Sequence, residues 1–410
     1  MAAAGPLRTR EGAFFLAVMF LGYLAFTADR TVLSAVLKPL SSTLGGGSTF
    51  FFGLAGTAWL ASAQFIGVLA FVFISGRASD RYGQRRVVLI GVAVFTAFTW
   101  LVGFSSSLQE AFAFRLISGF GEGMFWPAAM SAVANYFGSN KGMALGIFYA
   151  GFDVGGASGN VIGSATFALT SDWRTAFFFA PLLGLPVLAS VFISRRTFAL
   201  AATKTGPLSI GRKSLGLFRT GRFGLILVFA FLATWASVWQ VAYLPYYYST
   251  VLGASVPEAG LIGAAVLTSG LAGKLVFGRV SDSARRDRVL VVLSLAVVLL
   301  YLVFFSASGF VEGVATALAI GFFSSAIFPV MQALASDSSG GETGAALGMT
   351  TTFQSAAAVI GTLIPGSLLS LGVGRALAID AMVPSLLALA VALFLADPRQ
   401  SASFRSRLHP

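Results

Sequence analysis

Five charged side chains lie inside long apolar stretches, where charge is costly and usually functional. Asp29 and Arg30 are in the first stretch, Arg115 and Glu122 are in the fourth, and Asp153 is in the glycine-rich fifth. The seven-residue spacing places Arg115 and Glu122 on one helix face, two turns apart. A poorly hydrated carboxylate can hold a proton, and the arginine fork binds carboxylate or phosphate. This pattern predicts either an inert buried salt-bridge network or coupled binding of protons and an anion.

The composition places these residues in a membrane. The chain is 57% hydrophobic and 10% charged, whereas ordinary globular proteins are roughly 25% charged. This excludes most soluble enzymes, nucleic-acid binders and disordered proteins. Cysteine is absent and His409 is the only histidine, which excludes thiol chemistry and His-rich metal clusters. We expect no cofactor beyond H⁺ as coupling ion, and a lipid bilayer but no nucleic acid as partner of a monomer.

The elements that position the charges are apolar runs, each about long enough for a spanning helix of roughly 20 residues. The longest polar stretch, 197–222, predicts a linker between an N-terminal bundle at 1–196 and a C-terminal bundle at 223–410. We predict an all-α membrane protein with 12 transmembrane helices in two pseudo-symmetric six-helix bundles. The runs are 12–38, 50–75, 87–105, 108–135, 142–168, 174–194, 223–249, 257–280, 288–308, 310–336, 342–370 and 375–396.

The basic residues predict the orientation, because lysine and arginine concentrate in cytoplasmic loops. With both termini inside, most of the 27 Lys and Arg residues fall on cytoplasmic segments. Only Lys38, Arg174 and Arg375 fall outside. The sequence thus predicts a multi-pass protein of the plasma (inner) membrane with both termini cytoplasmic.

The two halves are internal repeats. Gly76–Arg81 and Gly278–Ser283 share a pattern and are 202 residues apart, since 278 minus 76 is 202. Gly142–Gly146 and Gly344–Gly348 share the same offset. Six helices are an even number, so the two units run parallel in the membrane. Transporters of this kind often bind substrate near the midplane, between the repeats.

The two repeats differ in their internal charges. The positions 202 residues after Arg115, Glu122 and Asp153 are occupied by the neutral residues Ala317, Ser324 and Ser355. The fold therefore does not need the charges, and we expect the C-terminal half to contribute neutral contacts. The candidates there are Gln240, Tyr243, Ser324 and Gln354.

The loop after the second run carries a recognisable motif. Gly76-Arg-Ala-Ser-Asp80-Arg81-Tyr-Gly83-Gln-Arg85-Arg86 resembles the G-x-x-x-D-R-x-G-x-R-R signature of the major facilitator superfamily. The resemblance covers essentially the whole chain. It implies a conformational latch formed by Gly76, Asp80, Arg81, Gly83 and Arg85, with Gly278 and Asp282 in the second copy. A positively charged turn that only fixes topology is the alternative.

A narrower resemblance concerns the charges inside helices. Asp29-Arg30-x-x-x-Ser34 and Arg115-x-x-x-Gly119-x-x-Glu122-Gly123-x-x-x-Pro127 are similar to motifs of the anion:cation symporter branch. That branch includes hexonate transporters, sialin and vesicular glutamate transporters. The resemblance implies that Asp29 and Glu122 bind protons while Arg30 and Arg115 bind or gate the anion. Asp153 departs from that branch, which favours a zwitterionic or amine-bearing substrate or a third proton site.

We therefore predict a transporter and not an enzyme: proton-coupled symport, as uptake, of a small organic anion such as a carboxylate or sugar acid by alternating access. One alternative is proton-coupled efflux of drugs or amphipathic compounds, although Gly155-Gly156 stands where drug antiporters carry Gly-Pro. Spinster-like lipid transport is another alternative. A membrane sensor or scaffold without transport is the last.

Overall fold

A computed structural model describes residues 9–45, 54–137, 141–193, 198, 221–307, 310–339 and 343–397. Almost all of these residues are helical, in agreement with the predicted all-α class. Most of the predicted linker at 197–222 lies outside the described residues.

The helices follow the predicted apolar runs closely. The first half contains α1 (Arg10–Leu44), α2 (Gly56–Tyr82), α3 (Gln84–Val102), α4 (Leu108–Phe137), α5 (Lys141–Thr170), α6 (Arg174–Phe179) and α7 (Gly184–Ile193). The second half contains α8 (Gly221–Ala242), α9 (Leu244–Thr250), α10 (Val256–Ser283), α11 (Arg286–Ser306), α12 (Phe310–Asp337), α13 (Thr343–Ser367) and α14 (Val373–Ala396).

Two of the predicted spans are interrupted. A 3-10 turn at Ala180–Leu183 joins α6 to α7, and Pro181 stands at its start. Tyr243 separates α8 from α9, and Pro245 follows in the first turn of α9. Proline tolerates a helix start because it lacks the N–H that the interior of a helix requires.

Nine helical segments of the described chain are long and apolar enough to cross a membrane. The helices α4 and α5 are long but not among them. Their sequences explain this, because α4 contains Arg115 and Glu122 while α5 contains Asp153 and many glycines. Three of the five internal charges thus lie on these two helices.

The chain forms two compact units. The first comprises Met1–Leu208 and Val241–Ala264, and the second comprises Ser209–Gln240 and Ala265–Pro410. The short segment Val241–Ala264 packs within the first unit, where the Lys38 ammonium donates to the Ser249 carbonyl. These units differ from the predicted bundles only in that segment and in the division of the linker.

In the first unit, glycines allow α5 to touch the backbone of α1. A Cβ added at Gly155 would collide with the Leu24 carbonyl, and one at Gly159 would collide with the Ala28 carbonyl. Residues four apart in a helix share one face, so these glycines form a smooth stripe. The stripe fixes the position of α1, on which Asp29 and Arg30 lie.

A second close approach positions α4 against α2. A Cβ on Gly119 would collide with the Gln64 carbonyl, and one on Gly67 would collide with the Leu116 carbonyl. The helices α3 and α4 also pack together. As a result, α4 lies against both α2 and α3, and their polar side chains meet those of α1.

Aromatic side chains form the core of the first unit around this arrangement. The rings of Phe15, Phe125, Phe137 and Phe148 are all essentially inaccessible to solvent. The Tyr23 ring stacks on Phe148 with centroids 4.6 Å apart. This apolar surrounding keeps water away from the charged side chains nearby.

Candidate functional site

Asp29 is almost completely buried and surrounded by donors. Its Oδ1 accepts a hydrogen bond from Arg115 Nη1 at 3.0 Å and another from the Thr99 hydroxyl. Its Oδ2 accepts from Gln64 Nε2 and from Ser118 Oγ, both at 2.7 Å. Four side chains from three helices therefore satisfy the hydrogen-bonding capacity of one carboxyl group.

Glu122 is fully buried and forms the second ion pair. Its Oε2 accepts from Arg30 Nε at 2.8 Å, and its Oε1 accepts from Gln64 Nε2 at 2.7 Å. The Arg30 guanidinium lies over the rings of Phe26 and Phe65, at 4.2 and 5.0 Å from their centroids. Cation–π contacts of this kind stabilise a cation that is largely removed from water.

Gln64 connects the two ion pairs. Its amide nitrogen donates to both Asp29 and Glu122, and its amide oxygen accepts from Arg115 Nη2. Arg115 also donates to the Asp29 backbone carbonyl at 2.9 Å. Two cations and two anions give the cluster a net charge of zero, which suits a low-dielectric site. We call these seven residues the charged cluster: Asp29, Arg30, Gln64, Thr99, Arg115, Ser118 and Glu122.

The structure brings together four of the residues singled out in the sequence, and it pairs them across helices. Arg115 pairs with Asp29 on α1, and Arg30 pairs with Glu122 on α4. The sequence analysis missed Gln64, Thr99 and Ser118. Gln64 had a usable signal, because it is the one amide side chain in the apolar run that begins α2.

The two arginines differ in exposure. The Arg30 side chain is 12% exposed, whereas that of Arg115 is 2% exposed and both of its terminal nitrogens are already bonded. The Arg115 Nε has no hydrogen-bond partner. Arg30 is thus the cation that an incoming molecule can reach with the least rearrangement.

Asp153 is buried on α5, with 1% of its surface exposed. It lies near enough to Tyr23 for their charges to interact. Among the described residues, no group of three or more His, Asp or Glu side chains is arranged to hold a metal ion.

The neutral candidates of the second half form separate contacts. In the second unit, Gln240 Nε2 donates to the Tyr301 hydroxyl at 2.9 Å, and Ser324 donates to Gln240 Oε1 at 3.2 Å. Gln354 Oε1 accepts from Gln332 at 3.2 Å. Tyr243 belongs to the first unit and is 3% exposed.

The expectation of only neutral contacts in the second half is incomplete. Asp380 on α14 is 1% exposed, and its Oδ1 accepts from Trp235 Nε1 at 2.7 Å. Its signal was a lone aspartate within the last apolar run, close enough to the start of that run to be taken for a helix end.

The predicted latch residues occupy the end of α2 and the start of α3. Gly83 ends α2 with φ of +84°, a conformation that favours glycine. Arg85 donates to the carbonyls of Val191 and Phe192 at 3.1 and 2.8 Å, and thereby caps the last turn of α7. Arg81 lies over the Tyr82 ring. The surroundings of Gly76 and the side chain of Asp80 lie outside the described part of the chain.

The second copy of the motif also contains an ion pair. Asp282 lies 3.4 Å from Arg286 at the start of α11, and Arg286 pairs with Asp337 at the end of α12 as well. Gly278 faces open space. In both copies, therefore, an arginine within or just after the motif binds the end of another helix in its own unit.

The chain matches the Major Facilitator Superfamily model over residues 19–251 and 224–409. It belongs to this family of membrane transporters and is not an enzyme. The fold predicted from the sequence, with 12 transmembrane helices, is the fold of this family.

Among curated relatives, the 3-(3-hydroxy-phenyl)propionate transporter of Escherichia coli is 25% identical over 360 residues, which is 86% of each chain. The methylenomycin A resistance protein of Bacillus subtilis is 27% identical over 55% of this chain. The cephamycin export protein of Amycolatopsis lactamdurans is 31% identical over 42% of it. The matches span less than half of these last two relatives, 47% and 34%.

Solved structures agree on the fold. A D-xylose-proton symporter superposes with a TM-score of 0.74 at 16% identity, over 94% of this chain and 97% of that one. A bacterial homologue of the lysosomal transporter Spinster, in an inward-facing and occupied conformation, gives 0.70 at 17% identity over 99% and 98%.

Proposed function

We propose that the protein is a proton-coupled symporter that takes up a small organic anion, such as a carboxylate or sugar acid, by alternating access. The observation that carries this proposal is the Arg30–Glu122 pair, in which a partly exposed cation is bonded to a fully buried carboxylate. An anion that binds Arg30 competes directly with Glu122 for the guanidinium.

The charge of the cluster couples this competition to a proton. With Asp29, Arg30, Arg115 and Glu122 all ionised, the cluster is neutral. A bound monoanion makes its net charge −1, which is costly in a site with little water. Protonation of Glu122 restores neutrality, so anion binding and proton binding favour each other. One proton per monoanion is the stoichiometry that this balance supports.

The remaining residues stabilise this exchange. Arg115 binds Asp29 through a direct contact, and Thr99, Ser118 and Gln64 complete its hydrogen bonding. We propose that Asp29 balances the charge of Arg115 before the anion binds. We also propose that it is the second proton site when the cluster opens to water. We propose that Asp153 contacts a donor group elsewhere on the substrate.

One relative supports a carboxylate-bearing substrate. The relative that matches over 86% of both chains is a transporter of 3-(3-hydroxyphenyl)propionate, which contains a carboxylate. We propose the same substrate class for this protein.

We also propose that the protein lies in the plasma membrane with both termini in the cytoplasm. Cysteine added at the N-terminus of this cysteine-free chain, and labelled from outside intact cells, tests the orientation: cytoplasmic termini predict no labelling.

Uptake into proteoliposomes tests the coupling. With 3-(3-hydroxyphenyl)propionate and gluconate as probes, an inward proton gradient should accelerate entry of at least one of them. The Glu122→Gln variant should lose proton-driven accumulation by about tenfold or more while retaining exchange of bound anion across the membrane. Glu110→Gln is the matched control, because Glu110 is in the same helix but is exposed and bonded only to nearby serines. Equal accumulation by the Glu122 variant and the control contradicts the proposal.

Anion binding at Arg30 has its own test. Loss of a charged hydrogen bond corresponds to about 10- to 100-fold weaker binding, so Arg30→Gln should raise the KM of the transported probe by that factor. Arg375→Gln is the control, since Arg375 is exposed on α14. An unchanged KM in the Arg30 variant rules out Arg30 as the anion site.

Efflux by proton antiport is the second candidate. It is favoured by the names of two relatives, a methylenomycin A resistance protein and a cephamycin export protein. The same proteoliposomes separate the two functions. Antiport predicts that an inward proton gradient expels a preloaded antibiotic from the vesicles, whereas symport predicts accumulation of the anion.

A further inference from the structure

Asp380 lies deep within the second unit, away from any helix end. It is the eighth residue of α14, which places it about 10 Å along the helix axis from Val373. Only 1% of its surface is exposed. Carboxylates are rarely this buried unless they are paired with a cation, ligate a metal or carry a proton.

The two oxygens of this carboxyl group have different surroundings. Oδ1 accepts a hydrogen bond from Trp235 Nε1 at 2.7 Å. Oδ2 is buried and has no hydrogen-bond partner. One indole N–H is therefore the only hydrogen bond that this carboxyl group has among the described residues.

Among the described side chains, the helices around Asp380 offer no cation within reach. On α11, Arg286 and Arg288 are at the far end, roughly 20 Å along the helix from Tyr301, which is the titratable group near Asp380. The described side chains of α13 are all uncharged. On α8, which carries Trp235, Arg222 pairs with Asp287. Arg375, on α14 itself, is exposed.

An ionised carboxylate in this position would cost several kcal/mol, since one N–H donor cannot replace its hydration. A neutral carboxylic acid avoids that cost, with its proton on Oδ2 and its Oδ1 accepting from Trp235. We propose that Asp380 and Trp235 form a proton-binding site in the second unit, separate from the charged cluster. Release of this proton requires water to reach Oδ2, so occupancy of the site reports whether the interior of this unit is hydrated.

The site is independent of the proposed anion exchange, because it shares no residue with the charged cluster. Infrared difference spectroscopy of the full chain in lipid nanodiscs tests it directly. The C=O stretch of a protonated carboxyl group should be present at about pH 6 and decline towards about pH 10. The Asp380→Asn variant should lose this band, while Glu122→Gln and the exposed control Asp172→Asn retain it. Asparagine preserves the acceptor for Trp235, so the fold should be kept.

A second variant covers the case in which Asp380→Asn does not fold. Trp235→Phe removes the donor to Oδ1 and should shift the same band to higher frequency without abolishing it. The proposal is overturned if neither substitution changes the band at about pH 6, which would mean that Asp380 is ionised. It is also overturned if the Asp380 band persists undiminished to about pH 10, because such a proton would never exchange.

Discussion

Asp29 and Asp380 are aspartates of nearly equal burial, with 4% and 1% of their surfaces exposed. Asp29 accepts hydrogen bonds from four side chains, including an arginine. Asp380 accepts from a single indole. Equal burial therefore comes with very different hydrogen-bond partners in the two places. The proposal of a neutral Asp380 rests on this difference in the number and charge of the donors.

The difference also distinguishes the interiors of the two units. The first unit contains two cations and two anions, a balance that the proposed anion would disturb. The second contains a buried carboxyl group, that of Asp380, without a cation partner among the described residues. Substitutions that remove the same charge from each site should therefore have very different consequences.

The largest effect is expected for Asp29→Asn. This change leaves Arg115 buried beside a neutral amide, and loss of one partner of a buried pair costs about 3–5 kcal/mol. Unfolding of the purified protein by SDS measures the loss. The double variant Asp29→Asn, Arg115→Gln should recover part of it, because neither charge is then left alone. A double variant less stable than the single one contradicts the assignment of this pair.

A smaller loss, about 3 kcal/mol, is expected for Gln64→Leu. Leucine has a similar size but removes donors to two carboxylates and an acceptor for Arg115, and unsatisfied buried polar groups are costly. The same unfolding assay applies. Gln84→Leu is the control, since Gln84 is also buried but donates only to Ser131 among its described contacts. Equal losses in the two variants mean that Gln64 does not join the ion pairs.

Gly119→Ala should cost about 2 kcal/mol, because the added Cβ meets the Gln64 backbone and forces α2 and α4 apart. Gly146→Ala on α5 faces open space and should be neutral or stabilising by up to about 1 kcal/mol. Thermal unfolding of the two variants side by side measures this contrast. If Gly119→Ala also unfolds at the wild-type temperature, close packing does not position Gln64.

The smallest effect is expected for Asp380→Asn, at less than about 1 kcal/mol, because one neutral group replaces another of similar shape. The free energies of unfolding of Asp380→Asn and Asp29→Asn, measured side by side, compare the two aspartates directly. A loss as large as that of Asp29→Asn shows that Asp380 is ionised and has a partner.

Much of this arrangement could be predicted from the sequence. The charged residues Asp29, Arg30, Arg115 and Glu122 stand out because charge is rare in apolar runs. The pairing between them could not be predicted, since it depends on the register of α1 against α4. Spacing along α4 placed Arg115 and Glu122 on one face, yet each bonds to a residue of α1.

Three buried polar residues, Thr99, Ser118 and Asp380, could not be singled out from the sequence. Thr99 and Ser118 are ordinary in membrane helices, where they commonly bond to their own backbone. Only the tertiary structure reveals that both donate to Asp29. Asp380 was missed because a charge near the start of an apolar run is common at a membrane surface.

The glycine stripe of α5 has a mechanical consequence. Because Gly155 and Gly159 bring the backbones of α1 and α5 into direct contact, we expect the two helices to move as one rigid pair. The Arg30–Glu122 and Arg115–Asp29 ion pairs connect this helix pair to α4. In the proposed anion exchange, breaking the contact at Arg30 therefore displaces α1 and α5 together, so a change at one buried oxygen moves both helices along their length.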